Sequence, residues 1–176
     1  PSTSQHVGGQ FVLRENTSSR NVTSIMIAEN GTVDALNNLD NIQLRYDLDT
    51  TAPYDCSSET YAGSETQYGA TDTDGFTADN GTSTFSGSVT LSTTQAMCVY
   101  VVVDVTSAAS NGETVQIEIS SPANDVVVST GSVSPSTPVA IAGTTTLAGP
   151  VITQSGYHWR NDTGLETAAL SATGGA

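Results

Sequence analysis

Along this chain, apolar and polar positions alternate far more often than they recur every three or four residues. Alternation and short apolar runs mark strands, because successive strand side chains point to opposite faces. The first such segment is residues 10–14, with Phe11 and Leu13. Residues 21–29 place Val22, Ser24, Met26 and Ala28 on one face and Thr23, Ile25 and Ile27 on the other. Residues 41–48 set Ile42, Leu44, Tyr46 and Leu48 on a common face. Further strands are predicted over 84–91, 97–105, 114–119, 125–129 and 138–142. The run 97–105 is apolar almost throughout, which predicts a central strand covered on both faces.

The dipeptides Asn30-Gly31 and Asn111-Gly112 are turn signals between these segments. Residues 33–39 connect two strands and have room for one short helical turn. Strands at this spacing predict an all-β fold, an immunoglobulin-like β-sandwich of about 7–10 strands. The stretch 49–82 is the most polar and reads as one long loop, of the kind that carries function. Residues 144–150 read as a boundary, giving a β-sandwich domain over 1–149 and a strand or linker arm over 150–176. Within the arm, 151–160 is predicted as one strand, followed by a small, polar tail.

Charge changes what this fold can be used for. There is no lysine, and Arg14, Arg20, Arg45 and Arg160 face 18 acidic residues, for a net charge of -14. Such a surface repels a phosphate backbone and an anionic leaflet, so neither nucleic acid nor membrane surface is an expected partner. Lysine chemistry, whether a Schiff base or an isopeptide cross-link, is ruled out. No apolar run approaches the ~18 residues of a membrane span. The chain opens at Pro1 without an initiator Met, which reads as a processed terminus or an arbitrary boundary.

Cys56 lies in a polar segment and Cys98 in an apolar strand. An even count in an acidic, Ser/Thr-rich chain predicts a disulfide and an oxidising compartment. Five positions match Asn-x-Ser/Thr and are candidate glycosylation sites: Asn16, Asn21, Asn30, Asn80 and Asn161.

Asp72, Asp74 and Asp79 on a Gly-bearing loop are the best candidate metal ligands, for calcium, although EF-hand spacing is not met. Asp47, Asp49 and Asp55 form a second acidic group. No cofactor is required by any motif. His6 and His158 lie near opposite ends with no second ligand at metal spacing, and no nucleophile-elbow motif occurs, so no enzyme activity is expected. Tyr54, Tyr61 and Tyr68 would make a carbohydrate-facing patch if the polar loop exposed them.

Two segments carry a resemblance. Residues 22–33 with 38–47, and the tail Tyr157-His158-Trp159-Arg160-Asn161-Asp162, are similar to β-sandwich modules of large secreted bacterial surface proteins. Such modules, notably from candidate-phylum bacteria, accompany sialidase-repeat or lectin-like domains. The resemblance implies a cell-surface location and a structural module.

The expected function is that of an extracellular structural subunit of a fibre or surface layer, assembled with copies of itself or adjacent domains by terminal-strand pairing. An open sandwich exposes unpaired edge groups that an added strand satisfies. Phe11, Leu13, Val151, Tyr157 and Trp159 are the expected interface residues. The alternative is an adhesin or carbohydrate-binding module that holds a glycan through 49–82.

Overall fold

The computed structural model describes residues 1–148 and, beyond them, the strand segments 152–153, 157–159, 166–168 and 171–172. Two five-stranded antiparallel sheets form a sandwich. The first is organised on β7 (Ala96–Val105). Along one edge of β7 run β1 (Ser2–His6) and β2 (Phe11–Arg14), one after the other. On its other edge lies β4 (Leu39–Asp49), which in turn pairs with β5 (Thr66–Asp72). The second sheet is organised on β3 (Arg20–Glu29). It pairs with β6 (Thr82–Leu91) on one side and with β9 (Ile117–Ile119) and β10 (Val126–Val128) on the other. The strand β11 (Val139–Ala140) extends from β9. A separate ladder joins β8 (Thr114–Val115) to β12 (Thr145–Thr146).

Between the sheets lies one apolar core, in which Ile25, Ile27, Ile42, Leu44, Phe85, Met97, Val99, Val101 and Val103 are buried. The all-β sandwich is therefore as the alternation predicts. So is the central place of 97–105, and the helical turn in 33–39 is α1 (Ala35–Asn38). Asp34 caps α1 by accepting the Asn37 N–H.

Four elements differ from the sequence reading, each for a physical reason. First, β1 has no apolar alternation; its backbone pairs with residues 102–105 while its side chains stay largely at the surface. Second, 49–82 is not one loop, since β5 runs through it with Tyr68 as its one large apolar side chain. Third, 114–119 is split at Gln116, whose N–H donates to Glu29 Oε1 (2.9 Å) and whose carbonyl accepts from Asn30. Fourth, the register of β3 shifts between Val22 and Ser24 against both neighbours. That irregularity turns Val22 into the core with Ile25 and Ile27, across the face expected from strict alternation. A second helical turn, α2 (Pro122–Asp125), precedes β10.

The two flanks of the sandwich are unlike. On one, β5 and β6 approach closely because glycines face the contact. A Cβ on Gly69, whose φ is +71°, would lie 2.7 Å from the Ser86 carbonyl oxygen, and one on Gly87 would meet the Tyr68 ring at 2.7 Å. The other flank, between β2 and the β10–β11 side, is open.

Glu29 ends β3 fully buried. Its Oε1 accepts the N–H groups of Gly31 (2.6 Å) and Gln116 (2.9 Å), while Oε2 has no partner. Burial pushes this carboxyl above its ordinary value against the pull of the two N–H bonds, and Asp79 adds to the rise. The folded chain thus favours the protonated form. The resulting stabilisation is complete below the unfolded carboxyl value and is lost as pH rises through the raised folded one. Urea midpoints measured across that window should fall with pH more steeply in the parent than in Glu29→Gln. Parallel curves would show that Glu29 titrates as if exposed.

The tail contains β13 (Ile152–Thr153), β14 (Tyr157–Trp159), β15 (Glu166–Ala168) and β16 (Ser171–Ala172). These pair with one another, β13 with β16 and β14 with β15. The expected single strand over 151–160 is thus represented by two short ones. Val151 and Asn161 lie outside the described residues, as do the side chains of Tyr157, His158 and Trp159.

Candidate functional site

The open flank holds an apolar cleft of about 130 Å³. Its floor comes from both sheets: Phe11 and Leu13 of β2, Val22 of β3, Leu91 of β6, Ile119 of β9, and Val126 and Val128 of β10. Phe11, Val22, Leu91, Ile119 and Val126 are buried. Val12 and Val139, at the rim, are 42% and 36% exposed. Val127, on the strand between two lining residues, is 49% exposed. Of the four large apolar side chains left exposed among the described residues, only Leu36 lies away from this region.

Polar groups at one end of the cleft are already organised. Arg20 pairs with Glu15 at 3.0 Å and donates to the Thr17 hydroxyl. The Glu15 carboxylate also accepts the N–H groups of Thr17 and Ser18. The Thr17 N–H leads in holding it below the ordinary carboxylate range. Arg14 lines the same end, so two of the chain's four arginines border this cleft on an otherwise acidic molecule. An apolar centre with a polar, charged rim is the anatomy of a protein-binding patch.

The expected interface residues divide accordingly. Phe11 and Leu13 belong to β2, which pairs with β7 inside its own sheet from Phe11 opposite Val99 to Arg14 opposite Ala96. They line the cleft.

The polar loop has a different task. Residues 50–65 fold over the outer face of β7, and the Cys56–Cys98 disulfide (Cα–Cα 5.7 Å) fixes them there. This cover explains why β7 is buried on both faces. Asp49 accepts the N–H groups of Thr51 (2.8 Å) and Cys56 (3.0 Å), and Gln10 donates to the Cys56 carbonyl (2.8 Å). Glu65 accepts the N–H groups of Ala62 and Gly63. Beneath the loop, His6 stacks on Tyr61 at 4.5 Å and meets the edge of Tyr100 at 5.7 Å. The Tyr100 hydroxyl is buried without a partner. Burial first, then Asp47, Glu59 and Glu65, push it up to about 12.

The three tyrosines of the suggested glycan patch are not together. Tyr54 and Tyr61 pack half-buried on the disulfide cluster. Tyr68 is in the main core, donating to the Val22 carbonyl at 3.2 Å. Its strand neighbours are small or polar, so no run of large apolar residues marked it as core.

Among the described residues, no group of three or more His, Cys, Asp or Glu side chains is arranged to hold a metal ion. Asp72 accepts from the Asp74 N–H (3.1 Å) and the Ser83 hydroxyl (2.5 Å), while Asp74 and Asp79 are exposed. Asp55 likewise turns on itself, accepting the Ser57 N–H. Asn16, Asn30 and Asn80 are exposed; Asn21 is half-buried in β3 and accepts from the Thr90 hydroxyl.

Fold and cleft define an all-β sandwich module, stapled by one disulfide and open along one flank. No family model, curated protein or solved structure matches the chain. No helix among the described residues is long and apolar enough to cross a membrane. The disulfide suits an oxidising compartment.

Proposed function

We propose that this chain is an extracellular structural module, a subunit of a fibre or surface layer whose copies join by terminal-strand pairing. The observation that carries this reading is the apolar cleft on the open flank, bordered by sheet edges β2 and β10. Among the described residues, each of these strands has one paired side. An added strand would satisfy the free backbone groups and cover exposed valines together. The acidic surface keeps free subunits apart until that contact forms.

The glycan-binding alternative draws on 49–82, most of whose first half is committed to covering β7. It is the weaker reading for that reason.

Electron microscopy and velocity sedimentation over a concentration series test the proposal. Filaments or extended arrays that lengthen with concentration are expected. A variant lacking 149–176 should remain folded by circular dichroism and lose assembly. Discrete monomers of the full chain at every concentration would overturn the reading.

A further inference from the structure

The cleft and the point where the chain leaves the sandwich lie apart. The Leu147 N–H donates to the Glu113 carbonyl, and Gly112 donates back to Leu147. Along β8 and β9, Glu113 precedes Ile119, a cleft residue, by 119 − 113 = 6 positions. At ~3.3 Å per residue this is roughly 20 Å. Moreover, β12 is antiparallel to β8, with Thr145 opposite Val115 and Thr146 opposite Thr114. Its direction carries the chain away from the cleft as it reaches Leu147. To reach its own cleft the tail must turn back; to reach that of a neighbour stacked beyond it, no reversal is needed.

The cleft also has a size. Its ~130 Å³ is close to the ~150 Å³ apolar cavity that holds one benzene ring. The tail brings two aromatic residues two positions apart in sequence, Tyr157 and Trp159. They belong to β14, part of a two-stranded pairing that in isolation is only marginally stable in water. Arg14 and Arg20 border the cleft, where a guanidinium can lie against an aromatic face. Arg14 also offers positive charge to Asp162 and Glu166, the acidic residues of the tail.

We propose that β14 of one copy docks along the β2 edge of the next, with a Trp159 or Tyr157 ring filling the cleft between β2 and β10. This assignment rests on the assembly reading and names its occupant: the tail of a second copy, joined head to tail. A contact of that kind propagates into an open filament instead of closing as a symmetric dimer.

Trp159 is the chain's one tryptophan, so its emission reports the tail directly. The full chain should show a blue shift that grows with concentration in step with sedimentation. Two variants test the two sides of the contact. Trp159→Ala alters the tail, and Val12→Asp alters an exposed rim position whose folding is checked by thermal melting. Each should raise the concentration needed for assembly at least about tenfold, the loss expected for a buried aromatic anchor.

Assembly that persists in both variants, with the parent's emission remaining that of a solvated indole, would overturn the inference and leave the assembly reading standing. A blue shift independent of concentration would place the tail in its own cleft and also overturn it. Monomers with solvated emission at every concentration would overturn both readings.

Discussion

Replacing Cys56 and Cys98 by alanine is expected to destabilise the fold by about 4 kcal/mol, the chain-entropy value for a loop of this length. The bond closes a sequence separation of 42 residues. At this chain size the loss corresponds to a fall in Tm on the order of 10 °C. The effect should also be local. Released from β7, residues 50–65 no longer cover Ala96, Tyr100 and the Cys98 position. Hydrogen exchange at the Cys56 amide, now held by Asp49, should accelerate with exchange across the loop. A drop in Tm of only a degree or two, with exchange unchanged, would mean that polar contacts alone hold the cover in place.

Tyr68→Ala is expected to destabilise the sandwich by about 3–5 kcal/mol, as for other buried aromatics truncated to alanine. The ring is 1% exposed, packs edge-on to Tyr46 and lies against Gly87 at the closed flank. Tyr68→Phe keeps the ring and loses the hydroxyl bond to the Val22 carbonyl, so its loss should be nearer ~1 kcal/mol. Equilibrium denaturation of both variants separates packing from hydrogen bonding. Were Tyr68 a ligand-facing loop residue, both changes would lie within about 0.5 kcal/mol of the parent.

These two residues illustrate what could be read in advance. The disulfide was legible because two cysteines in such a composition have one possible pairing. Tyr68 was not, because its strand, 66–72, surrounds it with Thr, Gln, Gly, Ala and Asp, none of them large and apolar. Strand β1 was equally silent: its pairing with β7 uses backbone groups that every residue carries. The first aspartate of the candidate calcium loop shows the limit of proximity in sequence. Proximity in sequence grouped Asp72, Asp74 and Asp79, while the fold gives the Asp72 carboxylate to its own turn and to Ser83.

By itself the sequence determined the all-β class, the central apolar strand, the turns after Glu29 and before Thr114, and the acidic, lysine-free surface. These are properties of periodicity and composition, fixed residue by residue. Only the tertiary structure decided that 50–65 covers β7, that β5 and β6 shut one flank through glycines, and that Phe11, Val22, Leu91 and Val126 meet around a cleft on the other. Those residues lie tens of positions apart. What brings them together is the pairing of edges and the packing of two sheets, and hydrophobic burial favours any such contact without regard to sequence distance.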